Sequence, residues 1–339
     1  MASTIDAATT LGAVALSVAD LRRSLDYYQH DIGLALLNRR GDQATLGVGS
    51  TTLLRLQEFP GARLVRRATG LYHFALRVPT RRDLAGVLRH FAERGTQLGG
   101  AADHLFSEAL YLSDPDGHGI EIYRDRPRDS WYDRQGSLRA ASDPLDLRSI
   151  VRELEGDEVS WAGLPAGTDM GHIHLQVATI RDAERFYIDV LGFERMIGMP
   201  TASFVSAGGY HHHIGMNTWA GVGVAAPPEG AARLLGYEVV LPNQNALSAV
   251  IDRVRAAGVS LTEDTEGWVV RDPSDNRILL RFRSATSSRS GRSSSDYDRP
   301  SRPQRRASAG ARQPDRPHRT VPEYRTRSHA GPVRLPWLT

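Results

Sequence analysis

The segment "DPDGHGIEIY", residues 114–123, sets a carboxylate, Glu121, into an otherwise apolar run. Side chains alternate faces along a strand, so Gly119 and Tyr123 share the face of Glu121, and Ile120 and Ile122 take the other. A charge at such a place belongs either to a wet sheet edge or to a carboxylate that is paired or bound to a metal. Imidazoles recur in similar settings. His73 opens "HFALRVP", His172 and His174 lie in "GHIHLQV", and His211, His212 and His213 run together in "GGYHHHIGMNTW". The chain has no cysteine, so disulfides and thiolate ligands are excluded. Any metal site must therefore be built from histidine and carboxylate.

The elements that carry these residues repeat. Four stretches open with a short apolar strand followed by a helical pattern: "AVALSVADLRRSLDYY" from Ala13, "HFALRVPTRRDLAGVL" from His73, "HIHLQVATIRDAERFY" from His172 and "GYEVVLPNQNALSAVI" from Gly236. In the first and third, matching phrases follow, "HDIGLALLNR" and "IDVLGFERMIG". The second and fourth end alike, in "LSDPDGHGIEIYRDR" and "VRDPSDNRILLRFRS". Each unit reads as a βαβββ module of about 50 residues. The expected modules are 11–60, 70–126, 169–222 and 232–284. Residues 127–168 join the second and third, with a capped helix in "SDPLDLRSIVRELEG". Residues 1–10 are expected to be disordered.

Residues 285–339 are rich in Arg, Ser and Pro and lack apolar periodicity, so a disordered tail is expected. The tail holds 12 Arg against 4 acidic residues, a charge of +8; the whole chain carries +3, which leaves 3 − 8 = −5 for the remainder. Phosphate contacts by such a tail are conceivable chemistry, but nothing in the folded part calls for nucleic acid. Every basic Lys-or-Arg position is Arg, read here as compositional bias. No apolar run is long enough to span a bilayer. The start "MASTIDAATTLG" lacks the basic and apolar regions of a secretion signal. A cytoplasmic protein is expected.

Over residues 11–284 the chain resembles the vicinal oxygen chelate superfamily, which includes glyoxalase I, bleomycin- and fosfomycin-resistance proteins and extradiol ring-cleaving dioxygenases. The "DPDGHGIEIY" ending and the "HFALRVP" and "GHIHLQV" openings carry the resemblance. The four-unit layout with "GGYHHHIGMNTW" resembles the catechol 2,3-dioxygenase branch. The resemblance implies an α+β fold in which paired modules form two incompletely closed barrels. The first strand of a module then supplies a His ligand, and the last strand a Glu. Aligned on Val18, Val78, Val177 and Leu241, the four first strands carry Ala13, His73, His172 and Gly236 at the ligand position. The last strands carry Glu121 in module two and Leu279 in module four. Ligands thus survive in modules two and three, which implies that these two build one barrel and modules one and four the other. His73, His172 and Glu121 form the two-histidine, one-carboxylate set suited to non-haem Fe(II), with Mn(II) also accepted. His174, two residues along the same strand, is the alternative to His172.

The resemblance further implies a catecholic substrate and O2, with the ring cut beside the diol. Tyr111, ten residues before Glu121, matches the family's substrate-bonding tyrosine. His212 matches its acid–base histidine, with His213 as the alternative should the register slip by one; on a regular strand His211 and His213 face away. His104 precedes the Tyr111 strand as a substrate-contacting or proton-handling candidate. Two other functions fit the superfamily. One is a glyoxalase-type isomerase or lyase, which uses a second carboxylate that "HHIGMNTWAG" does not contain. The other is a non-catalytic drug-binding protein. Homo-oligomerisation stays open.

Overall fold

The structure, a computed structural model, describes residues 4–156 and 160–283. In chain order its elements are β1 (Thr10–Val18), α1 (Leu21–Asp26), β2 (Ala35–Arg40), β3 (Gln43–Val48) and β4 (Thr51–Glu58). Next come β5 (Gly70–Arg77), α2 (Arg81–Arg94), β6 (Gly100–Asp103), β7 (Ser107–Ser113) and β8 (Gly119–Asp125). A connecting stretch holds β9 (Asp143–Pro144) and α3 (Leu147–Val151), the latter capped by Asp146, whose carboxylate accepts the Ser149 N–H. The chain continues with β10 (Asp169–Gln176), α4 (Ile180–Glu184), β11 (Glu194–Met199), β12 (Ala202–Ser206) and β13 (Ile214–Asn217). It ends in β14 (Leu234–Leu241), α5 (Gln244–Ala256), β15 (Thr262–Asp264), β16 (Gly267–Arg271) and β17 (Arg277–Phe282). The fold is α+β and dominated by strands. The basic tail lies outside the described residues. Among those described, no helix is long and apolar enough to cross a membrane.

Two open sheets result. The eight-stranded sheet runs β15-β16-β17-β14-β1-β4-β3-β2, and the nine-stranded sheet runs β11-β12-β13-β10-β5-β8-β7-β6-β9. The first is thus made of the opening and closing stretches of the chain, the second of the two middle stretches. This is the pairing expected from where the histidines lie. At the centre of each sheet two first strands meet antiparallel, β1 with β14 and β5 with β10.

The alternation seen in sequence explains the layers. Phe74, Leu76, Ile120, Ile122 and Ile173 are fully buried in the main apolar core, together with Val14, Leu16 and Leu54 of the other sheet. Burying each such side chain stabilises the fold by about 1.5–3 kcal/mol, enough to fix the register against a one-residue slip. The intervening residues His73, Ala75 and Glu121 are thereby sent to the opposite face. α2 packs Leu84, Val87, Leu88 and Phe91 inward, at helical spacing. It starts at a capping box: Thr80 accepts the Asp83 N–H and the Asp83 carboxylate accepts the Thr80 N–H, an arrangement of about 1 kcal/mol. It stops at Gly95, whose φ of 71° suits glycine.

α1 and α4 each run into a π-helical turn, Tyr27–Ile32 and Arg185–Val190. These turns aim two buried tyrosines at the Asp-Pro turns of the neighbouring sheet or strand. Tyr28 Oη donates to Asp114 Oδ2 at 2.9 Å, and Tyr187 Oη donates to Asp272 Oδ2 at 2.9 Å. Asp114 also accepts the His118 N–H, which holds the turn leading into β8. One expectation is corrected: residues 4–9 are not outside the fold. Ile5 is buried in the core and its N–H donates to the Gly192 carbonyl, so apolar burial and a backbone hydrogen bond tie the segment to the fold.

Candidate metal centre

Three adjacent strands deliver the three expected ligands. β5 and β8 are parallel, with Ala75 opposite Glu121. β5 and β10 are antiparallel, with His172 opposite Ala75 and His174 opposite His73. β8 is an interior strand and Glu121 is only 2% exposed, so the wet-edge explanation fails. Glu121 Oε2 lies 3.1 Å from His73 Nε2 and 3.1 Å from His172 Nε2, and the two imidazole nitrogens are 3.3 Å apart. The three atoms form a nearly equilateral triangle. Ligand atoms about 2.1–2.2 Å from a shared cation, at right angles to one another, stand roughly 3.0–3.1 Å apart. Among the described residues this is the group of His and carboxylate atoms close enough to hold a metal ion together. The residues present therefore fit a cation of the Fe(II) or Mn(II) type.

The electrostatics agree. Burial opposes the charge on Glu121, but His172 and His73 beside it overcome that penalty and hold its carboxyl well below the usual carboxylate range. Burial pushes the His172 imidazole down, against the pull of Glu121. A carboxylate and neutral imidazoles are the ligand forms a metal requires. His172 Nδ1 is buried without a hydrogen-bond partner among the described residues.

His174 is not in the triangle. Its Nε2 lies 3.1 Å from Asn217 Nδ2, which donates to it, and its ring packs against Tyr72 and Trp219. The two histidines share a strand face, as alternation requires, but different partners divide them. On β13 the residue opposite His174 is Gly215, which matches Glu121 in its place opposite the first strand. A Cβ there would come within 2.9 Å of His174 Cγ. The place a second carboxylate would occupy is thus held by a glycine under an imidazole.

The remaining expected residues surround the triangle. Tyr111 lies directly across from Glu121 on β7, and its ring centroid is 5.7 Å from that of His73. His104 Nδ1 is 2.8 Å from the Ala141 carbonyl, which can only accept, so Nδ1 carries the proton in the neutral ring. His104 Nε2 then accepts from Tyr111 Oη at 2.7 Å. His212 lies against His172, with centroids 4.2 Å apart and the rings tilted by 50°, and packs on Phe204. His213 sits apart: its Nδ1 accepts the Ala207 N–H at 3.2 Å, and burial pushes its pKa down to about 3.

His211 departs from expectation. The three histidines precede β13 rather than continuing it, so strand alternation does not apply. They follow a turn at Gly208 and Gly209, with φ of 60° and 66°. His211 does not face away. It stacks on Phe106 at 4.4 Å, and its Nδ1 lies 2.8 Å from His212 Nδ1. Its Nε2 donates to Asp125 Oδ1 at 2.9 Å. His211, Asp125 and Asn217 are the neighbours that sequence reading missed. Asp125 lies four residues after Glu121, a spacing with no meaning until the turn before β13 folds over the end of β8.

Comparison with known proteins follows the same lines. A family profile described as "Glyoxalase/Bleomycin resistance protein/Dioxygenase superfamily" matches residues 10–122. A curated relative named catechol-2,3-dioxygenase, from Bacillus subtilis (strain 168), is 45% identical over 272 residues, covering 78% of this chain and 94% of that protein. Two solved structures share the fold. A putative dioxygenase from Bacillus subtilis subsp. subtilis str. 168 matches with a TM-score of 0.58 at 12% identity, covering 83% of this chain and 86% of that one. A glyoxalase I mutant from Zea mays matches with a TM-score of 0.51 at 14% identity, covering 81% and 94%. A relative this similar over nearly its whole length settles descent, and the chain belongs to the glyoxalase/bleomycin resistance protein/dioxygenase superfamily.

Proposed function

We propose that the protein is an Fe(II)-dependent extradiol dioxygenase that cleaves catechol or a substituted catechol with O2. The observation that carries this reading is the triangle of His73, His172 and Glu121 with Gly215, not a carboxylate, at the corresponding place on β13. Three protein ligands leave coordination positions for a substrate and oxygen. The 45% identity to a catechol-2,3-dioxygenase supports the same choice.

When bound, the metal would hold the diol and oxygen together and supply the redox chemistry. The protein's own residues would do the rest. His73, His172 and Glu121 hold the metal. Tyr111, whose proton is directed at His104, presents its oxygen as an acceptor for a substrate hydroxyl. His212, neutral because burial pushes its pKa well down, can take a proton from the diol and return it later. His104 keeps Tyr111 oriented. Phe204, Phe106, Tyr72 and Trp219 surround these groups with aromatic faces that suit a planar ring and exclude water.

The test is anaerobic purification, loading with Fe(II), and addition of catechol and O2. A yellow ring-opened semialdehyde is expected. Full iron binding with no ring opening of any diol, and turnover of thiol adducts instead, would replace this reading with the isomerase one.

A further inference from the structure

The His211–Asp125 pair has no part in the proposed chemistry as described so far, although the His211 ring packs edge-on against His172. Asp125 is the hub of a small network. Its carboxylate accepts from Arg77 Nη1 at 3.0 Å, from Tyr210 Oη at 3.0 Å and from His211 Nε2 at 2.9 Å. Arg77 is itself held by Asp169. A carboxylate with a guanidinium beside it only accepts, so the proton of the His211–Asp125 bond sits on His211 Nε2. His211 is fully buried, where a second ring proton would be a buried charge, so near neutrality this is its single ring proton. His211 Nδ1 then bears a lone pair. Its partner at 2.8 Å, His212 Nδ1, must supply the hydrogen.

The chain of donors fixes which nitrogen of His212 is bare. We propose that Asp125 and His211 are positioning residues that lock His212 in its Nδ1–H form, leaving the lone pair on Nε2. A free histidine side chain in water prefers the opposite tautomer, with hydrogen on Nε2, so the lock reverses the intrinsic preference. A ring whose Nδ1 is engaged this way can accept a proton only at Nε2, on the side away from His211. The network also fixes the ring's orientation, since Phe106 stacks on His211 and Phe204 packs on His212. The use made of that lone pair rests on the dioxygenase reading; the tautomer itself does not.

The alternative polarity is equally definite. Were His211 to carry both protons as an ion pair with Asp125, its Nδ1–H would donate to His212, and His212 would hold its hydrogen on Nε2. The two arrangements give opposite 15N spectra. The measurement is the side-chain 15N–1H correlation spectrum of the full-length chain, labelled with 15N-histidine and loaded with diamagnetic Zn(II), near neutral pH. The expected result is a protonated-type Nδ1 and an unprotonated-type Nε2 for His212. In His211→Phe, which keeps a ring against Phe106 but removes the acceptor, the His212 resonances should exchange types. An unprotonated Nδ1 in the parent protein, or a His212 pattern unchanged in His211→Phe, would overturn the proposal. Should that variant fail to fold, the parent spectrum alone decides. No step of this readout needs catechol, oxygen or turnover, so its failure is distinct from failure of the dioxygenase reading.

Discussion

The two sheets are built to one plan and put different groups at the same place. In the nine-stranded sheet, Ala75 of β5 faces Glu121 of β8; in the eight-stranded sheet, Ala15 of β1 faces Arg55 of β4. Where the former has His172 and His73, the latter has Gly236 and Ala13. On β14, Glu238 faces Leu279 and occupies the place His174 holds on β10. Arg55 and Arg281 close on this glutamate at 3.1 and 2.8 Å. One sheet thus gathers lone pairs that converge on a point, which are costly to bury without a cation. The other gathers charges of both signs that satisfy each other. The lesson is that the scaffold does not determine whether a site exists. A handful of residues on one face of four strands decides between a ligand set and a structural ion cluster.

The contrast can be broken most severely at Glu121. Glu121→Ala should abolish both metal retention and turnover, read by metal analysis after gel filtration and by semialdehyde absorbance; an active, metal-loaded variant would remove Glu121 from the ligand set. His212→Ala should keep the metal but lower turnover about 10²–10⁴-fold, the usual range for a lost acid–base group. Turnover equal to the parent would move proton transfer elsewhere. In the other sheet, Glu238→Ala should cost about 1–3 kcal/mol of stability, because Arg281 loses its carboxylate and Arg55 keeps only Glu266. Chemical denaturation would measure it, and metal content should be unchanged. Loss of metal together with stability would show that the sheets are coupled more tightly than the comparison supposes.

The smallest effect concerns pH. His213 has a pKa of about 3 when folded, against an ordinary value of 6.5. Below 6.5 the unfolded chain takes up a proton that the folded chain refuses, so stability is full above that pH and declines as pH falls toward 3. His213→Asn offers Ala207 another acceptor but does not titrate. Denaturation midpoints across pH 6.5 to 4.5 should therefore fall less steeply for His213→Asn than for the parent.

The repeats, the apolar alternation and the Thr80 and Asp146 caps are local patterns, and each fixes an element without help from the rest of the chain. Even the sheet partnership was legible, since the histidines survive only in the two middle stretches. Strand alternation and the repeated Asp-Pro turn place His73, Glu121 and Tyr111 on their strands by counting, while their roles came from the family resemblance. Counting failed at Gly208 and Gly209, where positive φ angles turn the chain and end the alternation before His211. What the sequence alone determined is which residues could serve as ligands and which strand faces they share, because both follow from periodicities of two and from residue chemistry. The tertiary structure decided that His172 and not His174 joins the triangle, that Asn217 claims His174, and that Asp125 reaches His211. Those choices depend on contacts between residues more than forty positions apart, and no local pattern encodes a distance across folded chain.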